Sequence, residues 1–194
     1  MTNFEFKARL HDLQQVQSVM QQRRVELFSV MLQTDTYFRV PHGRLKLREI
    51  SFLPTSEAMQ TLPSPRSELI FYQRPDHAEV KRSDYLIAPV VSADALRAVL
   101  DASLGARVVV KKRRALYLLG YRERPYDPQA PHIRVHLDQV EDLRNFVEIE
   151  AIVGEGITFE QAESEAQSLL EKFGVQKNDL ITGSYADLLE NASR

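Results

Sequence analysis

Glu148 and Glu150 stand two residues apart in Phe146-Val147-Glu148-Ile149-Glu150. On a strand this spacing turns both carboxylates to one face. Two convergent carboxylates can hold a hard dication such as Mg²⁺ or Mn²⁺, which takes oxygen ligands and keeps open positions for water or phosphate. Glu5, in Asn3-Phe4-Glu5-Phe6-Lys7-Ala8-Arg9, offers a third carboxylate, with Lys7 beside it on the same face. Further bases follow the same alternation: Arg44, Lys46 and Arg48 on one segment, and Lys111-Lys112-Arg113-Arg114 on another. Lysine and arginine hold phosphate oxygens through charge-assisted hydrogen bonds. Acids and bases together on strand faces suit an anionic ligand that arrives with cations. The four consecutive bases occupy both faces, so alternation does not choose between Lys112/Arg114 and Lys111/Arg113. His136 shares a face with Asp138 and reads as a structural hydrogen-bonding group.

The elements that must position these residues are mostly strands. Period-two patterning predicts strands over Asn3–Arg9, Thr34–Val40, Arg44–Ile50, Glu68–Arg74, Lys81–Ala88, Arg107–Gly120 (one long strand or a pair), His132–Asp138 and Phe146–Val153. Pro41-His42-Gly43 reads as a hairpin turn. Helices are expected over Asp12–Gln22, with Leu13, Val16 and Met20 as core stripe, and over Ser92–Leu104, stopped by Gly105. A third opens on the capping box Thr158-Phe159-Glu160-Gln161 and ends at Phe173-Gly174, and a fourth covers Ser184–Asn191 with Ser184 as cap. Leu53–Ser67 and Arg124–Pro131, each with three prolines, read as loops.

One polar strand face is ordinarily a solvated face. Here the pattern recurs across the whole chain, and the faces carry mostly Lys, Arg, Glu and Asp. The expected fold is therefore α+β: a closed eight-stranded antiparallel β-barrel with a charged interior and helices packed outside. Buried charges of this kind require partners or a ligand.

Composition narrows the function classes. The 194 residues are 43% hydrophobic with a net charge of −2, and the whole chain reads as one globular domain. Seven bases and one acid fall between Arg107 and Arg124, while thirteen acids and four bases follow from His136 onward. A basic segment of that size fits a local anionic ligand, not the broad field that nucleic acid demands. No stretch has the apolar length of a membrane span, and the N-terminus lacks a signal-peptide pattern. The absence of cysteine excludes disulfides and thiolate metal sites. These features predict a cytoplasmic protein with no membrane partner, and they are compatible with a homodimer. No Walker-type, dinucleotide or His-Glu-x-x-His motif is present.

The ordered set of segments resembles the CYTH domain family, named for class IV adenylate cyclases and thiamine triphosphatases, within the triphosphate tunnel metalloenzymes. The similarity runs through Asn3–Arg9, Gly43–Arg48, Glu68–Asp76, Lys81–Tyr85, Val110–Arg114, His136–Val140, Phe146–Glu150 and Gly183-Ser184-Tyr185. The resemblance implies a triphosphate substrate and Mg²⁺ or Mn²⁺ as cofactor. It assigns Glu5, Glu148 and Glu150 to the metal, with Asp138 as a further metal carboxylate or one behind it. It assigns Lys7, Lys46, Arg48, Arg74, Lys112 and Arg114 to the triphosphate, and makes Glu148, Glu150 and Lys7 the catalytic set. Asn3 departs from the family's Glu-x-Glu-x-Lys run, and an amide ligates a hard cation more weakly than a carboxylate. Arg144 stands where the family often has Gly, and the loop Leu53–Ser67 is longer than usual. The resemblance implies conversion of ATP to cyclic AMP and pyrophosphate, or hydrolysis of inorganic, thiamine or nucleoside triphosphate. A non-catalytic polyphosphate binder is a third expectation.

Overall fold

The computed structural model describes residues 3–56, 61–73, 84–119, 133–152, 159–181 and 183–192. Eight strands are present: β1 (Asn3–Arg9), β2 (Leu27–Phe38), β3 (Arg44–Leu53), β4 (Arg66–Gln73), β5 (Asp84–Val90), β6 (Ala106–Leu119), β7 (Ile133–Val140) and β8 (Asn145–Ile152). The helices are α1 (Leu13–Gln22), α2 (Ala93–Leu104), α3 (Phe159–Lys172) and α4 (Tyr185–Ala192). None is long and apolar enough to cross a membrane.

Most expected elements are found within a few residues. The largest difference is β2, which starts at Leu27 and not at Thr34. Leu27–Leu32 is almost continuously apolar, so period-two patterning has nothing to register there. Arg107–Gly120 resolves into one long strand over Ala106–Leu119. The expected loop Arg124–Pro131 and the cap residue Thr158 lie outside the described residues.

All eight strands join one antiparallel sheet in the order β1-β8-β7-β6-β2-β3-β4-β5. The α+β class and the eight-stranded antiparallel sheet are as expected. Hydrogen bonding does not close the barrel: among the described residues β1 and β5 do not pair. Two local features oppose closure. The free edge of β1 is partly taken by the chain after α3, through an Ala8–Leu180 bridge and an Ile181 N–H donating to the Lys7 carbonyl at 2.8 Å. On β5, Pro89 has no N–H to donate across a seam.

The two faces of the sheet are different materials. On the outer face, Val16 and Met20 of α1 and Ala166, Leu169 and Leu170 of α3 pack against Ala8, Val135, Val147 and Ile149. Each such large side chain contributes about 1.5–3 kcal/mol by leaving water. Asp12 caps α1, accepting from the Gln14 and Gln15 N–H groups at 2.8 and 3.2 Å. Helical cover is partial: α2 buries none of its residues, and Phe28 of β2 and Leu86 of β5 are exposed.

The inner face is charged, and α4 closes one end of it. Tyr185 and Ala186 pack with Tyr37, Val110, Val140 and Phe146 to form an aromatic floor. Ser184 and Asp187 hold the helix start reciprocally: the Asp187 carboxylate accepts from the Ser184 N–H at 2.9 Å, and Ser184 Oγ accepts from the Asp187 N–H at 3.3 Å. Arg44 at the start of β3 donates to Asp187 at 2.9 Å, and Arg107 of β6 donates to Glu190 at 2.6 Å. At the β2–β3 turn, Gly43 has φ +67°, and a Cβ there would stand 2.8 Å from the Phe71 ring.

Candidate active site

Strand register decides which inner-face residues meet. Glu5 lies opposite Glu150, and Lys7 opposite Glu148, across β1–β8. His136 lies opposite Glu148, and Arg134 opposite Glu150, across β7–β8. Asp138 faces Arg114 across β6–β7, and Asp35 faces Arg48 across β2–β3. Six strands thus converge on one polar region.

Two buried carboxylates organise the bases. Asp35 accepts from Arg48 Nε and Nη2, both at 2.7 Å, and from Lys46 Nζ at 2.9 Å. Asp138, fully buried, accepts from Arg114 Nε and Nη2 at 2.7 and 2.6 Å and from the Tyr185 hydroxyl at 2.9 Å. Lys112 Nζ is 3.4 Å from the same carboxylate. The paired N–H bonds fix each guanidinium plane, so the bases are oriented before any ligand arrives. Glu148 sits beside them, 3.1 Å from Lys7 Nζ and 3.2 Å from Arg114 Nη2.

The lysines lie against the floor. Lys7 Nζ is 4.6 Å and Lys112 Nζ 5.1 Å from the Tyr185 ring centroid, and Lys46 Nζ is 5.5 Å from that of Tyr37. These cation–π contacts compensate part of the lost hydration. Burial, and next the nearby Arg48 charge, lower Lys46 to a pKa of about 7. Burial and Arg114 lower Lys112 to about 8. Burial acts against ionisation of Asp35, but Lys46 and Arg48 outweigh it and hold the carboxyl well below its usual range. Burial likewise opposes ionised Glu148, and Lys7 and Arg114 keep it low. Glu150 behaves differently: burial pushes it up, with the Glu148 charge adding to the shift.

Phe146 packs on Tyr185 in the floor, with ring centroids 4.9 Å apart. Glu148 is two residues along β8 from Phe146 and Glu150 is four, which is about 7 and 13 Å along a strand. Lys7 and Lys112 lie against the floor together with Asp138, His136 is level with Glu148, and Glu150 and Glu5, with Arg134 beside Glu150, lie farther along the strands.

A divalent cation fits that outer group. Glu148, Glu150 and His136 each offer a ligand atom, all within 4.8 Å of one another. His136 is 6% exposed, and its Nδ1 has no hydrogen-bond partner. Three donors on one side leave the other coordination positions to water or phosphate.

The sequence-derived residues divide as follows. Glu5, Lys7, Lys46, Arg48, Lys112, Arg114, Asp138, Glu148 and Glu150 all lie on the inner face. Arg74 lies outside the described residues. Asp138 is placed among the bases, where Arg114, Lys112 and Tyr185 engage both of its oxygens. Asp35 and the role of Tyr185 were missed. An aspartate in mid-strand is unfavourable by propensity, so Thr34-Asp35-Thr36 carried a usable signal. Tyr185 falls in the Gly183-Ser184-Tyr185 segment of the resemblance, but its contacts with Asp138, Lys7 and Lys112 depend on α4 folding across the sheet.

The fold is an eight-stranded antiparallel α+β sheet whose inner face gathers bases and carboxylates into one buried site. A family model for the CYTH domain matches residues 1–185, and the chain belongs to the CYTH domain family, whose members are enzymes acting on triphosphates. Comparison with curated proteins returns no match. Among solved structures, the PH1012 protein of Pyrococcus horikoshii is 19% identical with a TM-score of 0.69, covering 96% of this chain and 98% of that one. A candidate adenylate cyclase from Vibrio parahaemolyticus is 16% identical at TM-score 0.65, covering 98% of each chain. A candidate adenylyl cyclase from Hippeastrum, HpAC1, described as having a dominant triphosphatase activity, is 15% identical at TM-score 0.59, covering 99% and 96%.

Proposed function

We propose that this protein is a metal-dependent adenylate cyclase of the class IV type, converting ATP to cyclic AMP and pyrophosphate. The observation that carries this reading is that the Glu148–Glu150–His136 group lies farther along the strands than the bases near the α4 floor, where the carboxylates present, Asp35 and Asp138, are engaged by arginine and lysine. A triphosphate with its terminal phosphates on the bases places its α-phosphorus toward Glu148 and Glu150. Lys7, Lys46, Arg48, Lys112 and Arg114 neutralise the β- and γ-phosphates, with Arg74 as a sixth base. Their surplus charge stabilises the leaving pyrophosphate as the 3′-hydroxyl gives up its proton to water, the bond from O3′ to the α-phosphorus forms and the bond to the bridging oxygen breaks. Asp35 and Asp138 hold the guanidinium planes in position throughout. Glu148 and Glu150, with Glu5 beside them, hold the cation. Mg²⁺ or Mn²⁺ bound there supplies a Lewis acid that lowers the pKa of the ribose hydroxyl and offsets charge at the α-phosphate.

Hydrolysis is the second reading, supported by the likeness to the Hippeastrum protein. It uses the same clamp with the triphosphate seated the other way round, its terminal phosphorus at the carboxylates.

Product analysis tests both. The protein is incubated with ATP, inorganic triphosphate and thiamine triphosphate, with Mg²⁺ or Mn²⁺. Cyclic AMP and pyrophosphate support the cyclase; orthophosphate alone selects hydrolysis; no turnover with tight anion binding leaves only a binder. Glu148→Gln is expected to cut metal-dependent turnover at least tenfold to a hundredfold, about the loss usual when metal ligation is disturbed. Unchanged turnover in that variant would remove Glu148 from the site.

A further inference from the structure

Buried polar atoms without partners are uncommon, and each costs about 1–3 kcal/mol unless something satisfies it. Among the described residues two such side-chain atoms remain, Gln33 Oε1 and His136 Nδ1. The histidine is the more informative, because its free nitrogen faces two acids. Nδ1 lies 3.5 Å from Glu148 Oε1 and 3.8 Å from Glu150 Oε1. These separations are long for hydrogen bonds. They are close to the spacing of two donors sharing one ion: ligands about 2.1 Å from a cation and roughly at right angles are about 3 Å apart.

Backbone pairing holds the arrangement in place. His136 is paired with Glu148 across β7–β8, and Arg134 with Glu150, so the three donor atoms come from adjacent positions on two neighbouring strands. Val135 and Ile149, on the opposite face of the same strands, are fully buried. The imidazole therefore stands on a rigid support.

We propose that His136 Nδ1 is itself a metal ligand, joining Glu148 and Glu150 in a mixed nitrogen–oxygen set that favours Mn²⁺ over Mg²⁺. The inference rests on the metal-dependent reading given above. Imidazole is a borderline donor that suits first-row transition dications, whereas Mg²⁺ prefers oxygen ligands and keeps its waters. A site of carboxylates alone has a weaker bias.

The test is pulsed EPR on the full chain loaded with Mn²⁺, with and without inorganic triphosphate. The expected result is ¹⁴N modulation on the Mn²⁺ signal that changes to the ¹⁵N pattern in protein grown with ¹⁵N-histidine. His136→Gln should abolish it. By calorimetry the same variant should bind Mn²⁺ at least about tenfold more weakly, the lower end of what even outer-shell changes cost, with Mg²⁺ affinity changed less. Bound Mn²⁺ without nitrogen coupling would overturn the role of His136 and leave the metal reading standing. Coupling that persists in His136→Gln would assign another histidine and overturn it too. No Mn²⁺ binding in either condition would remove this inference and the metal-dependent reading together. The coupling is read on the native chain, so it does not depend on how the variant folds.

Discussion

Asp35 is placed to serve the proposed anion site through the bases it holds, without touching the anion itself. It anchors Lys46 and Arg48, and removing its charge leaves two buried cations unpaired. Breaking a buried pair in this way costs about 3–5 kcal/mol. Asp35→Asn should lower the melting temperature by about 10 °C, and inorganic triphosphate should restore more stability to it than to the native chain. Equal shifts in scanning fluorimetry would show that Asp35 does not balance those charges. Lys46 and Lys112 give the site a pH signature. Their pKa values, lowered to about 7 and about 8, rise when a bound anion favours the ammonium forms. Affinity is thus full below about pH 7 and falls as pH rises through the free-state values, and binding at pH 8 takes up protons. Calorimetry in buffers of different ionisation enthalpy should detect this uptake at pH 8. Lys46→Arg, which stays charged, should reduce it.

At the scale of elements, the decisive piece is α4. It is 8 residues long, too short to be stable alone, and it is held by its capping pair and by Arg44 and Arg107. In return it supplies Tyr185, which touches Asp138, Lys7 and Lys112. Asp187→Ala removes the reciprocal cap and the Arg44 contact together. The expected cost is about 1–2 kcal/mol, with faster amide exchange over residues 185–192 and weaker triphosphate binding. Exchange that rises with no change in affinity would separate the floor from the site. The β1 edge makes a related point: the segment at Leu180–Ile181 both occupies that edge and leads into α4, linking the unclosed seam to the floor.

At the scale of the molecule, the residues proposed to bind triphosphate and metal lie on β1, β3, β6 and β8, so binding there should stabilise the sheet as one unit. Inorganic triphosphate at a hundred times its dissociation constant adds about 2.7 kcal/mol to unfolding. For a chain of this size the melting temperature should rise by roughly 5–10 °C in a single transition. A second, unshifted transition would show that the half bearing α1 and α3 unfolds separately from β3–β5. The rise should shrink with added salt, because the attraction is largely electrostatic.

The sequence by itself determined the strands that alternate and the faces their charges share. Glu5, Lys7, Lys46, Arg48, Glu148 and Glu150 could be named because a period of two is a local property, and the CYTH resemblance then singled out Lys112 and Arg114 from four adjacent bases. What needed tertiary structure was everything set by register and by contacts between distant segments. Only pairing across β2–β3 put Asp35 on Arg48, and only the docking of α4 put Tyr185 under Lys7. The start of β2 was not legible, because a continuous apolar run has no period. Barrel closure could not be read either, since a strand's edge partners are chosen by the segments that reach it first. His136 is the clearest case. Sequence placed it on the charged face as a structural group, but the orphaned Nδ1 between two carboxylates exists only once β7 and β8 are paired.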